Sequence, residues 1–293
     1  MSNFVIHTDS GCDLSKSVLD EWQIKSCPLN FRFDGADEEY PDGGMPAKEF
    51  YKKMRDGEVA KTSAVNVAAF IEEMDKTLSE GYDILYLGFS SALSTTFNSA
   101  RLASSELEAK YPERRIIVID TLAASAGEGL LLYLAAEKRD AGASIEETAD
   151  FINGLIPKLC HLFTVDDLTY LKRGGRVSPS VVAVGNLLGI KPVLYVDDEG
   201  RLTPHSKVRG RRAAIQAMAE KFGELAEDRL TGNVFISHGD CEGDANELKR
   251  ILAEKYGATV KLITDVGAVI GSHSGPGTLA LFFIGKKRPD KGR

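Results

Sequence analysis

The stretch Asp83-Ile84-Leu85-Tyr86-Leu87-Gly88-Phe89-Ser90-Ser91-Ala92-Leu93-Ser94-Thr95-Thr96-Phe97-Asn98-Ser99-Ala100 joins an apolar run to a helical pattern through a dense set of hydroxyls. Residues 83–87 have the length and continuous hydrophobicity of a strand buried on both faces. From Ala100, with Arg101-Leu102-Ala103, the pattern becomes helical. At a strand-to-helix junction, unpaired backbone N–H groups and the positive end of the helix dipole point the same way, which suits a small anion. A helix cap needs one hydroxyl. Here Ser90, Ser91, Ser94, Thr95 and Thr96 crowd together, so an anion site is expected beyond plain capping.

Working outward, Phe4-Val5-Ile6 reads as a strand closed by Asp9-Ser10-Gly11-Cys12-Asp13, and a helix is expected from about Ser15. Asp9 and Asp13 could ligate a metal, but Asp13 or Ser10 is instead expected to cap that helix, because no third ligand lies close in sequence. Residues 24–33 suggest a strand and turn, and the acidic loop from Asp37 to Gly44 suggests a solvated segment. Thr62 and Ser63 precede the helical pattern of Phe70, Ile71, Met74 and Leu78, giving a second hydroxyl-bearing helix start. Arg115 to Asp120 is a further strand, Gly129 to Glu137 a helix, and Ser144 with Glu147 has capping-box spacing. This alternation predicts an α/β fold whose N-terminal domain, residues 1–160, is a parallel sheet with helices on both faces. Ligands of such sheets collect beyond the carboxyl ends of the strands, where Asp9, Ser90, Ser91 and Asp120 fall.

The character changes near Pro157, and residues 161–293 are expected to form a second α/β domain. Its strands are read at His161–Val165, Lys191–Val196, Asn233–His238, Thr259–Ile263 and Thr278–Ile284, with a hairpin around Asp197 to Glu199. Gly174-Gly175-Arg176 puts a guanidinium on a flexible turn, suited to a carboxylate or phosphate. His273 stands among Gly271, Gly275 and Gly277, where backbone can approach a ligand closely. The segment His205 to Arg212 is the dense basic cluster, either a solvated helix start or a phosphate-facing patch. Lys286 to Arg293 reads as a frayed tail.

The chain has 293 residues and a formal net charge of −7, which argues against general binding of nucleic acid or anionic membrane. Its four cysteines, Cys12, Cys27, Cys160 and Cys241, form no C-x-x-C pair and suggest free thiols in a reducing compartment. The first strand starts almost at once, so no signal peptide is expected, and no apolar run is long enough to span a bilayer; a cytoplasmic protein is expected. The sequence holds no G-x-x-x-x-G-K-[ST] loop, no strand-borne G-x-G-x-x-G and no metal-ligand spacing of histidines. Ala123-Ala124-Ser125-Ala126-Gly127 imitates a nucleophile elbow, which leaves a serine hydrolase using Ser125, Asp240 and His273 as one alternative. A phosphate-binding protein, with Arg209 to Arg212 assisting the hydroxyl loop, is another.

Several short pieces together resemble the DegV family of fatty-acid-binding proteins over nearly the whole chain. They are Asp9-Ser10 with Asp13-Leu14, Tyr40 with Asp42-Gly43, Thr62-Ser63, Ser90-Ser91-Ala92-Leu93-Ser94, Leu171 with Gly174-Gly175-Arg176, Ile190-Lys191-Pro192, and His273-Ser274-Gly275-Pro276-Gly277. The resemblance implies a carrier, itself not an enzyme and without cofactor or metal, that buries one long-chain fatty acid. A separate ATP-dependent fatty acid kinase would phosphorylate the bound carboxylate to an acyl phosphate for phospholipid synthesis. By the same resemblance Thr62, Ser94 and His273 bind the carboxylate. Ser63, Thr95, Arg173 and Arg176 support the head group or face the kinase. Two departures stand out: Ala64-Val65 replaces the family's Gln-Pro after Ser63, and Thr95 replaces a glycine after Ser94. About fifteen buried methylenes contribute on the order of 12 kcal/mol gross, against about 1.5–3 kcal/mol for each charge-assisted head-group bond. The tail is thus expected to set affinity and the head group orientation. Val181, Val182, Val184, Leu187 and Leu188 are candidates for the tail wall.

Overall fold

The computed structural model describes residues 3–177, 189–227 and 232–289. The first part of the chain runs β1 (Phe4–Asp9), α1 (Lys16–Glu21), β2 (Ile24–Cys27), β3 (Asn30–Phe33), β4 (Tyr40–Pro41), α2 (Ala47–Arg55), β5 (Ala60–Ser63), α3 (Val67–Ser79) and β6 (Asp83–Gly88). It continues through α4 (Thr96–Lys110), β7 (Ile116–Asp120), α5 (Ala126–Asp140) and α6 (Ile145–Leu155). Strands β2-β1-β6-β7 form a four-stranded parallel sheet in that order. The apolar run of β6 is buried on both faces: Leu85 and Leu87 pack toward α5, while Ile84 and Tyr86 pack toward Phe70 and Met74 of α3. That two-sided burial is the reason its sequence does not alternate.

The second part runs β8 (Leu159–Thr164), α7 (Thr169–Arg173), β9 (Ile190–Val196), β10 (Leu202–Arg209), α8 (Arg211–Leu225), β11 (Val234–His238), α9 (Glu242–Tyr256), β12 (Val260–Asp265), α10 (Ala268–Ser274) and β13 (Leu279–Ile284). Its six strands lie in the order β10-β9-β8-β13-β11-β12, antiparallel except for the β11–β12 pair joined through α9. The expected boundary at residue 160 falls inside β8. Helices α8 and α9 cover one face of this sheet. Helix α5 lies against the other, so its residues 126–136 are buried all round and its core joins Ile6 and Leu87 to Phe163 and Phe282. The inner faces of the two sheets therefore share one apolar layer.

Four local expectations are corrected. Thr62 and Ser63 do not start a helix: they lie on β5, which pairs antiparallel with β3 in a small third sheet, β4-β3-β5, and α3 is capped by Asn66, whose Oδ1 accepts the Ala69 N–H at 2.9 Å. Ser15, not Asp13 or Ser10, caps α1. Asp9 closes a single turn by accepting the Gly11 N–H at 2.9 Å and also takes Tyr86 Oη at 2.6 Å. The tail does not fray from Lys286, because Arg288 is buried and donates to the carbonyls of Ile156, Leu122, Asp197 and Thr121. Nor is the acidic loop wholly solvated, since Asp42 turns inward to accept the Val269 N–H at 3.3 Å. The Ser144–Glu147 capping box forms as expected.

Candidate functional site

A cavity of about 450 Å³ opens where the carboxyl end of β6 meets the inner face of the second sheet. An apolar cavity of about 150 Å³ already accommodates benzene, so this one has room for a much longer molecule. Most of its wall is apolar, with Phe89, Leu93, Phe163, Leu171, Val269 and Phe282 among the larger contributors. The proposed tail residues 181–188 lie outside the described residues.

At one part of the wall, polar groups follow one another in a line of contacts. Thr62 Oγ1 hydrogen-bonds His273 Nε2 at 2.8 Å. The His273 ring rests on the backbone of Gly174, where a Cβ would lie 2.2 Å from Nδ1, so a side chain there would have to push the ring aside. Arg176 donates from its guanidinium to the carbonyl of Gly174 and, through Nε, to the carbonyl of Leu93 at 3.1 Å. Ser94 follows Leu93, and its Oγ accepts the Thr96 N–H at 3.2 Å and meets Thr96 Oγ1 at 2.9 Å. Thr62, Ser94, Thr95, Arg176 and His273 all line the cavity. Burial, and next the Arg176 charge, push the His273 imidazole down to about 4, so it is neutral near neutral pH. Arg176 is half-buried, burial lowers its pKa, and no carboxylate pairs with it among the described residues. Such a cation, on the same cavity wall as Thr62, Ser94 and Thr95, suits an anionic head group.

The structure separates the remaining candidates from this line of groups. Ser63 alternates with Thr62 along β5 and turns outward, donating to Glu39 Oε1 at 3.0 Å. Arg173 is exposed, with its guanidinium 5.6 Å from the Tyr170 ring. The triad does not assemble: Ser125 Oγ bonds Asp13 and Ser237, Asp240 pairs with Arg55, and His273 pairs with Thr62. The basic cluster is no helper of the hydroxyl loop. Arg209, Arg211 and Arg212 do not line the cavity, and Arg211 pairs with Asp244 at 2.7 Å. Among the described residues no group of His, Cys, Asp or Glu is arranged to hold a metal.

Sequence reasoning missed Ser237, His161 and Phe163 as wall residues. The signal available was the alternation in β8, which puts His161 and Phe163 on one face. It also missed Asp13 as an organiser. Asp13 Oδ1 accepts the Gly267 N–H at 2.9 Å just before α10, the helix that carries His273. Burial, and then the neighbouring Asp42 charge, raise the Asp13 carboxyl well above the usual range.

Fold and site together define an α/β protein with a ligand cavity between two sheets, apolar along its wall and polar at one place. The chain belongs to the DegV family: the family model described as "Uncharacterised protein, DegV family" matches residues 3–286. It is 43% identical over 286 residues to a DegV domain-containing protein of Clostridium perfringens, covering 97% of this chain and 98% of the relative. It is 36% identical over 280 residues to a fatty acid-binding protein of Thermotoga maritima, covering 94% of this chain and 95% of that one. A crystal structure of a DegV lipid-binding protein from Thermotoga maritima superposes with a TM-score of 0.84 at 34% identity, covering 99% of this chain and 100% of that one.

Proposed function

We propose that this protein is a fatty-acid carrier that buries one long-chain fatty acid in the cavity and holds its carboxylate with Thr62, Ser94 and His273. The observation that carries the reading is the line of contacts Ser94–Leu93–Arg176–Gly174–His273–Thr62, which brings a cation with no carboxylate partner among the described residues and three hydrogen-bonding side chains onto one mostly apolar cavity. A carboxylate taken from water needs several converging donors, whereas the tail needs only carbon to replace water. The fatty-acid-binding relative from Thermotoga maritima supports the same reading. Neutral His273 donates one hydrogen bond and adds no second charge beside Arg176, while Thr95 lies at the mouth of α4 beside Ser94.

The carrier presents the bound carboxylate to a separate ATP-dependent kinase, which forms the acyl phosphate. Supporting this are exposed Lys172 and Arg173, which immediately precede Gly174 on the rim that seats His273, and the outward Ser63. A reducing, cytoplasmic setting fits the free cysteines, three of them buried. No helix among the described residues is long and apolar enough to cross a membrane.

Native mass spectrometry of the purified protein, with solvent extraction of any bound molecule, tests the carrier reading. A fatty acid bound one to one is expected. Recovery of only water-soluble phosphorylated compounds, with no displacement of a fluorescent fatty acid by oleate, would overturn it.

A further inference from the structure

Hydroxyls recur in the cavity where an unsubstituted acyl tail would meet only carbon. Ser237 on β11 stands opposite Ala280 on β13, which stands opposite Phe163 on β8, and all three line the cavity. Ser125, in the loop before α5, reaches this row: its Oγ lies 2.9 Å from Ser237 Oγ and hydrogen-bonds Asp13 Oδ2. The preceding residue, Ala124, meets His161 Nε2 through its N–H at 3.3 Å and its C=O at 3.2 Å. His161 also lines the cavity, is buried, and keeps Nδ1 without a partner. Among the described residues no hydrogen bond links these groups to the Thr62–His273 pair.

Two groups of this cluster keep hydrogen-bonding capacity that the described residues do not fill. Asp13 Oδ1 accepts the Gly267 N–H and Oδ2 accepts from the Ser125 hydroxyl. Ser125 Oγ in turn accepts from Ser237, whose own oxygen keeps a lone pair open at the cavity wall. A second unmet group stands beside it, because His161 engages Ala124 through Nε2 and Nδ1 retains the complementary role of donor or acceptor. A hydroxyl can donate to Ser237 Oγ and can serve His161 in either tautomer. A carbonyl or ether oxygen accepts only. A saturated chain answers neither group and leaves buried polar atoms unpaired, which is costly.

We propose that Ser237, Ser125 and His161 form a second polar station in the cavity, and that the ligand class it takes is an acyl chain carrying a hydroxyl away from its carboxylate. The inference rests on the fatty-acid reading and adds the substituent on the tail.

Competition binding to the full-length, delipidated protein decides it, with stearate, 10-hydroxystearate and 12-hydroxystearate as probes. At least one hydroxystearate is expected to bind more tightly than stearate. Ser237→Ala is expected to lower the hydroxystearate-to-stearate affinity ratio about tenfold, the size of one buried hydrogen bond. Should Ser237→Ala fail to fold, Ser237→Cys, close in size but a feeble acceptor, gives the same reading. Stearate binding as well as or better than both hydroxy acids, or a ratio that neither variant moves, would overturn the second station while leaving the carrier intact. If none of the acids binds, the carrier reading itself falls and this inference with it.

Discussion

His273 Nε2 lies 2.8 Å from Thr62 Oγ1 although 211 positions separate the two residues. The contact ties β5, on a small antiparallel sheet of the first half, to α10, near the end of the chain. From it Gly174, Arg176, Leu93 and Ser94 continue a line of contacts along the cavity wall. Thr62 and Ser94 are polar and replaceable with little loss of core volume, so their contribution to binding can be separated from their contribution to folding.

Thr62→Val and Ser94→Ala each remove a head-group hydroxyl. Each is expected to weaken fatty-acid binding by about 1.5–3 kcal/mol, the range for a hydrogen bond to a charged group. Displacement of a fluorescent fatty acid gives the affinity, and thermal melting of the ligand-free protein checks the fold. Wild-type affinity in the double variant would contradict the assignment.

Gly174→Ala tests the seat of His273. The backbone of Gly174 has φ of −71°, which alanine adopts freely, so the variant introduces no backbone strain. The added methyl carbon would meet His273 Nδ1 at 2.2 Å and must displace the ring from Thr62. Fatty-acid affinity is expected to fall at least as far as in Thr62→Val, with a melting temperature close to wild type. Retained affinity would mean that His273 does not need its present position.

Acid stability carries two opposing signs. His161 and His7 are buried and held down to about 3, chiefly by burial, so between about pH 6.5 and 3 the unfolded chain binds protons that the native state refuses. Their contribution makes stability fall as pH falls through that window. Asp42 is raised to about 6, mainly by burial, so the native state binds a proton that the unfolded chain lacks between about pH 6 and 4, and stability rises there as pH falls. Melting temperature against pH is expected to drop more steeply toward acid in Asp42→Asn than in wild type, because the compensating term is gone. An identical profile would show that Asp42 titrates as an ordinary surface carboxylate.

Arg288→Met removes a buried guanidinium that serves four carbonyls from three separate segments. Leaving those carbonyls unpaired is expected to cost on the order of 3–5 kcal/mol, read by urea denaturation. A loss below about 1 kcal/mol, within the range of an ordinary surface change, would place Arg288 in solvent.

Much of the architecture is legible in local pattern. The continuous apolar run of β6, the strand at Ile116–Asp120 and the Ser144–Glu147 box each determine their own structure with a few neighbouring residues. Thr62-Ser63 misleads because a hydroxyl pair before a helical pattern looks like a cap, whereas pairing with β3 settles it as strand, a partner about thirty residues away that local propensity does not contain. Arg288 looks like tail because nothing near it is apolar. Its partners come from the turn before β8, the loop after β7 and the β9–β10 hairpin.

By itself the sequence determined an α/β chain, a hydroxyl-rich junction after β6 and, through its ordered short motifs, membership of the DegV family. Those features are local in sequence, or are read from the order of local pieces. Only the tertiary structure decided which hydroxyls share a cavity: Thr62 faces inward and Ser63 outward, His273 pairs with Thr62, and Ser125 answers to Asp13 and Ser237 instead of a histidine. The physical reason is that a binding site is a meeting of side chains across long loops. Which face a strand turns inward, and which helix reaches it, is settled by packing between the sheets.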